Sequence, residues 1–238
     1  GKGRLPEVSD IVEEIEYRLT DKDMSGERVL VTAGSTREFI DPVRFISNPS
    51  SGKMGYALAR AAQRRGAQVV LISGKSSLTP PKGIRVVNVV SSEEMYNSVM
   101  EHADWSTIVI KAAAVGDYAA DKISKGKIKK DGKDKNLKLK RTTDILEELG
   151  KDKNGRLVVG FAAETENLVK NARDKLKRKN ADLIIANDVL APGAGFESDT
   201  NIVMMIYGKG KADKLPRMSK EDLAHIILDK IVELKTSA

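Results

Sequence analysis

Short, almost uninterrupted apolar runs, each followed by a stretch of helical period, recur from Arg28 nearly to the end of this chain. This alternation constrains the fold more than any other feature. A strand that is apolar on both faces needs a helix layer on either side and a crossover that returns the next strand parallel to it. Arg28–Thr32 (RVLVT), Gln68–Ser73 (QVVLIS), Ile84–Val90, Thr107–Lys111 (TIVIK), Leu157–Phe161 (LVVGF), Leu183–Asn187 (LIIAN) and Asn201–Tyr207 read as strands. Helical patterns cover Lys53–Arg65, Ser92–His102, Glu166–Lys179 and Ser219–Leu234. The second opens on a Ser-Ser-Glu-Glu capping signature, and the last on Ser219 with Glu221 and Asp222 in its first turn. The expected fold class is α/β: a doubly wound, Rossmann-like, mostly parallel sheet carrying one lysine-rich flap.

The 238 residues allow one large domain or two small ones. We expect residues 1–25 to be a peripheral tail, with a short Pro-started helix and a charged linker, and residues 26–238 to form one domain. The absence of Cys excludes thiol catalysis, thiolate zinc sites and iron–sulfur clusters, and two His leave little for an imidazole metal cluster. No apolar run approaches the ~20 residues that cross a bilayer, so a cytoplasmic protein without membrane contact is expected. The net charge of +7 is concentrated rather than spread. Asp121–Lys140 holds nine Lys and three Asp, or +6, which leaves the body nearly neutral. The flap, about residues 119–140, is thus a basic arm. It lacks aromatic residues for stacking on bases, so nucleic acid is not the expected partner. Either the arm closes over a polyphosphate or it is a solvated basic loop.

In an open α/β sheet, ligands sit beyond the carboxyl ends of the strands. The first strand runs into a loop of about twenty residues, long enough to suggest function, which ends Ser50-Ser51-Gly52-Lys53-Met54-Gly55 as it enters a helix. Hydroxyls and bare amides at a helix N-terminus suit a phosphate, though an ordinary Ser-capped helix would read alike. The segment is neither a Walker A loop nor a G-x-G-x-x-G fingerprint. The fourth strand ends Lys111-Ala112-Ala113-Ala114-Val115-Gly116-Asp117-Tyr118, where small residues admit a ligand or simply pack a core. Asp117 is placed to hold a ribose or a metal. Phe161, closing the fifth strand, flanks a base or fills the core. Lys175 and Lys179 share a helix face at i and i+4, facing a site or solvent.

Together these strand ends resemble the phosphopantothenate–cysteine ligase family over about Arg28 to Leu234. The resemblance is carried by Asp41-Pro42-Val43-Arg44-Phe45-Ile46-Ser47-Asn48 leading into Ser50–Gly55, Ala113-Ala114-Val115-Gly116-Asp117-Tyr118, Lys127-Ile128-Lys129-Lys130 and Gly160-Phe161-Ala162-Ala163-Glu164-Thr165. The opening Gly1–Glu7 is similar to the tail of the flavin-dependent decarboxylase domain fused to this ligase in many prokaryotes. By that likeness the chain is a piece of a bifunctional protein, with no flavin site of its own.

The resemblance implies a reaction. The carboxylate of 4′-phosphopantothenate attacks the α-phosphate of CTP, and the amine of L-cysteine then displaces CMP from the acyl-cytidylate. It implies Mg²⁺ and a homodimer. It also implies residue roles: Asn48 and Lys127 catalytic, with Arg44, Asn48, Ala113 and Ala114 on the acyl substrate. Ser50, Gly52 and Gly55 would hold the triphosphate, and Asp117 the ribose or Mg²⁺. Lys127, Thr143, Asp144, Ile145, Leu146, Phe161, Lys175, Lys179 and Asn187 would complete the nucleotide site. One departure is visible: Thr142-Thr143-Asp144-Ile145 stands where the family often has Asn-Pro-Asp-Ile. A nicotinamide-dependent Rossmann oxidoreductase is the alternative, opposed by the missing glycine fingerprint and by a second strand that ends Ile72-Ser73-Gly74-Lys75 without an acid.

Overall fold

The computed structural model describes Gly3, Leu5 and residues 7–164, 166–188 and 198–237. The expected Pro6-started opening and Thr165 of the Glu164-Thr165 motif lie outside the described residues. In chain order the elements are α1 (Val8–Leu19), β1 (Arg28–Ala33), β2 (Arg37–Phe39), β3 (Phe45–Ser47), α2 (Lys53–Arg64), β4 (Gln68–Ser73) and β5 (Arg85–Asn88). Then come α3 (Ser92–Ala103), β6 (Ile108–Lys111), β7 (Tyr118–Ala120), β8 (Leu139–Arg141), α4 (Ile145–Lys151), β9 (Leu157–Glu164) and α5 (Leu168–Arg178). The chain closes with β10 (Leu183–Asp188), β11 (Thr200–Asn201), β12 (Val203–Tyr207), β13 (Lys211–Lys214), β14 (Met218–Ser219) and α6 (Lys220–Thr236).

The main sheet has eight strands in the order β13-β12-β10-β9-β6-β1-β4-β5. Those from β10 to β5 are parallel, while β12 and β13 pair antiparallel at one edge. The parallel strands follow the Rossmann order 3-2-1-4-5-6, whose direction reverses between β1 and β6. Alternation along β1 divides the core. Val29, Val31 and Ala33 face one layer with α2 and α6, and Leu30 faces the other with α3, α4 and α5. The expected α/β class and mostly parallel sheet are therefore present.

Several boundaries differ from the sequence reading for identifiable reasons. The fifth strand was expected to end at Phe161 but runs to Glu164, because β10 pairs with it as far as Asp188↔Glu164. The strand expected over Asn201–Tyr207 breaks at Ile202, whose N–H turns to the Asn201 side-chain oxygen at 3.0 Å. α4 was not anticipated. Asp144 caps it by accepting the Glu147 N–H at 3.1 Å, and Ile145, Leu146 and Leu149 are buried. The flap stands on a short antiparallel pair, β7 with β8, and residues 129–140 between and along it are exposed.

Candidate active site

At the strand-order reversal, the loops after β1 and β6 are stitched to each other. Thr32 Oγ1 accepts the Ala113 N–H at 3.1 Å, Thr36 Oγ1 accepts that of Gly116 at 2.9 Å, and Ala114 N donates to Gly34 O at 2.9 Å. Both threonines are fully buried. The N–H groups of Ala113 and Ala114 are thus already donated within the protein, and the two residues offer a wall of methyl groups. Asn48 reaches the same loop, its Nδ2 donating to Val115 O at 3.1 Å.

Helix α2 begins behind Asn48. Its N-cap, Gly52, has φ +84°, a conformation that favours glycine, and a Cβ there would sit tightly, 3.1 Å from Gly34 N. No acidic residue occupies its first turn. Among the described residues the N–H of Gly52 is met only by the Ser50 hydroxyl at 3.3 Å, a weak bond that an anion can replace.

Two cavities open beside these loops. The smaller, about 230 Å³, takes in Asn48, Ser50, Gly52, Gly55, Ala113 and Ala114 on one side and Asn187 on another. The larger, about 690 Å³, is walled by Thr143, Asp144, Ile145, Leu146 and Lys179. Lys111, Val115, Asp117, Phe161 and Lys175 line both. Of the residues singled out from the sequence, Arg44 and Lys127 line neither. Arg44 instead donates to Ile128 O in the arm at 2.9 Å, and Lys127 is exposed on that arm.

The electrostatics are graded across the site. Lys175 donates to Phe161 O at 3.0 Å, and burial above all holds its pKa below the usual lysine value. Lys179, one turn on, is a bound cation, 2.5 Å from Glu147 and 3.0 Å from Asp144. Burial opposes its charge, but the two carboxylates prevail and raise its pKa. Asp144 responds in the opposite sense. Burial would raise it, yet Lys179 and the Glu147 N–H hold it ionised. Asn187 is buried with its side-chain oxygen unpartnered among the described residues, at the wall of the smaller cavity.

Sequence reasoning missed Lys111, Asn201 and Lys220, all of which line the smaller cavity. Burial, reinforced by Lys175 and opposed by Asp144 and Asp117, lowers Lys111 to about 8. A lysine ending an otherwise apolar strand was the available signal. Lys220, buried at the start of α6, arrives from more than a hundred residues beyond β6 and had none.

No cluster of three metal-ligating side chains exists among the described residues. Asp117, the carboxylate on the wall common to both cavities, fits only an ion held chiefly by a ligand's own phosphate oxygens, as Mg²⁺ commonly is. Among the described residues no helix is long and apolar enough to cross a membrane.

Residues 24–234 match the family model described as the DNA/pantothenate metabolism flavoprotein C-terminal domain. The coenzyme A biosynthesis bifunctional protein CoaBC of Bacillus subtilis (strain 168) is 50% identical over 98% of this chain. The alignment spans 59% of that relative, and the chain covers about three fifths of the curated relatives it matches. The crystal structure of a CoaBC C-terminal domain superposes with TM-score 0.79 at 40% identity, covering 92% of this chain and 100% of that one. A Cab2 mutant in complex with phosphopantothenate-cysteine shares the fold, with TM-score 0.72 at 18% identity over 98% of this chain and 95% of that one. The chain therefore belongs to the family of the DNA/pantothenate metabolism flavoprotein C-terminal domain.

Proposed function

We propose that this chain is a ligase unit joining 4′-phosphopantothenate to L-cysteine through an acyl-cytidylate, consuming CTP and releasing pyrophosphate and CMP on the route to coenzyme A. The observation that carries the reading is the pair of cavities with a common wall. One has a glycine-rich helix N-terminus and small residues for phosphate and acyl groups. The other has the size and polarity for a nucleoside. Family membership and the names of the relatives point the same way.

In the first step a substrate carboxylate meets a polyphosphate, so like charges must be neutralised before they react. Lys175, Lys111 and the α2 N-terminus supply positive potential from this chain, and Mg²⁺ bound to the phosphates beside Asp117 would add a Lewis acid. In the second step the amine nitrogen attacks the acyl carbon. Asn48 Nδ2, once turned from Val115 O, would donate to the oxygen on which charge develops. Lys127 would come down with the arm as phosphate charge peaks.

CTP is the nucleotide of this reading, and the protein acts in the cytoplasm as a homodimer. A flavin-dependent decarboxylase domain belongs to the same full-length protein. The test is pyrophosphate release from CTP or ATP with 4′-phosphopantothenate, with and without cysteine. Release with CTP and 4′-phosphopantothenate, and amide formation only with cysteine, is the expected result. Equal use of ATP overturns the nucleotide assignment, and no release with either overturns the ligase.

A further inference from the structure

The acyl-nucleotide of the ligase reading, on which this inference rests, is one molecule with an acyl group at one end, a nucleoside at the other and the α-phosphate between. A molecule lying across both cavities puts its middle where they meet. The shared wall there is Lys111, Val115, Asp117, Phe161 and Lys175, and its two cations are Lys111 and Lys175. Lys175 already donates to Phe161 O at 3.0 Å. The Lys111 ammonium makes no hydrogen bond or ion pair with any described residue. It is half-buried at the carboxyl end of the central strand β6, beside the strand-order reversal. A cation withdrawn from water without a counter-ion is unfavourable until an anion reaches it.

We infer that Lys111 is a ligand of the nucleotide's α-phosphate, holding its non-bridging oxygens opposite Lys175 while the phosphate is transferred and released. In the first step the carboxylate oxygen bonds to the α-phosphorus, and the α–β bridging P–O bond breaks with its electron pair on pyrophosphate. In the second the amine nitrogen bonds to the acyl carbon, the C–O bond to the phosphate breaks with its pair on CMP, and the amine proton passes to water. Lys111 keeps its protons in both steps and acts by charge alone.

The charged groups facing Lys111 come from three elements: Asp117 after β6, Asp144 at the head of α4 and Lys175 on α5. Asp144 is engaged by Lys179 at 3.0 Å, which leaves it a weak counter-ion. A bound phosphate would favour the ammonium form, so binding at alkaline pH should take up a proton.

Calorimetric titration of the whole chain with CTP and Mg²⁺, in wild type, Lys111→Met and Lys111→Arg, tests this assignment. Losing a charge-assisted contact should weaken CTP roughly 10–100-fold in Lys111→Met near neutral pH, with Lys111→Arg restoring most of the loss. Between about pH 7 and about pH 9 the wild type should weaken with proton uptake, whereas both variants lose that dependence. A Lys111→Met protein matching wild-type affinity, or keeping its pH dependence, overturns the assignment. Affinity is read without turnover, which separates the two claims. CTP binding through Lys111 without pyrophosphate release refutes the ligase reading and supports this one. Normal turnover with an unimpaired Lys111→Met does the reverse, and a wild type that binds no CTP refutes both.

Discussion

The guanidinium of Arg44 donates to the carbonyl oxygen of Ile128 at 2.9 Å, tying the turn between β2 and β3 to the lysine arm 84 residues later. Asp41 completes the clamp. It is fully buried and accepts the N–H of Ile128 at 3.1 Å, with those of Val43 and Arg44 at 2.8 Å. Burial would raise its pKa, but these donors and the Arg44 charge hold it below the usual aspartate value. The lysine arm is therefore fastened one residue after Lys127.

Arg44→Ala should release that fastening without touching either cavity. Trypsin should then cut at Lys127, Lys129 and Lys130 several times faster, and ligase turnover should fall roughly tenfold as the arm loses its position. Limited proteolysis beside a rate assay reads both. An unchanged cleavage pattern would mean that Asp41 alone carries the clamp.

If the clamp presents Lys127 rather than the arm's charge in general, its four neighbouring lysines are not equivalent. Lys127→Gln should depress turnover by roughly 100-fold or more with CTP affinity little changed, since one ammonium matters most where charge peaks. Gln at Lys129, Lys130 or Lys133 should cost little. Four similar, mild losses would leave only a generic basic loop.

Asn48→Asp puts a carboxylate where Nδ2 now donates to Val115 O at 3.1 Å. The contact turns from attractive to repulsive, and the new charge opposes the intermediate's phosphate. We expect the acyl-nucleotide to accumulate or leak while the fold persists, visible by mass spectrometry of the reaction mixture. Full conversion to the cysteine amide at the wild-type rate would remove Asn48 from the chemistry.

What was legible in the sequence followed from period and strand ends. Apart from β5, the parallel strands are near-continuous apolar runs, and one-residue errors at β1 and β6 cost nothing. The smaller cavity's Asn48, Gly52, Ala113 and Ala114 sit on loops that follow strands, where a topological rule locates them. The clamp was invisible, because no local pattern tells that Arg44 will find a backbone oxygen in a segment 84 residues away. Lys220 and Asn201 escaped for the same reason, entering the cavity from the chain's far end. α4 was missed because its seven residues are too few for helical period to stand out from a polar stretch.

Gly55 illustrates a position whose identity is dictated by approach rather than by conformation. A Cβ there would lie 2.5 Å from the Ala33 Cβ and 2.9 Å from Thr32 O, so α2 could not keep its seat on β1. Gly55→Ala should destabilise the protein by about 1–3 kcal/mol through overpacking and displace the helix N-terminus. Chemical denaturation gives the first and nucleotide affinity the second. Stability within error of wild type would show that the helix shifts freely.

Arg65 offers a pH-dependent test away from the site. Its buried guanidinium reaches Asp23 Oδ1 at 2.8 Å and Asp229 Oδ1 at 2.7 Å, and donates to His225 O at 3.2 Å, joining the α2 terminus to α6 and the segment before β1. The bond to Arg65 chiefly, against opposing burial, lowers the Asp23 pKa from 3.8. A carboxylate depressed in the folded state stabilises above its unfolded pKa, and the contribution disappears as pH falls through the folded value. Both aspartate side chains remain well exposed, at 41% and 66%, so solvent screens the pairs. Arg65→Met should therefore cost only about 1–2 kcal/mol near pH 7. Near pH 2–3 the wild type loses most of the Asp23 contribution, and the gap between the two proteins should narrow. Urea unfolding at both pH values measures it. A gap that stays constant would assign the role of Arg65 to packing and to its bond with the His225 carbonyl instead of to charge.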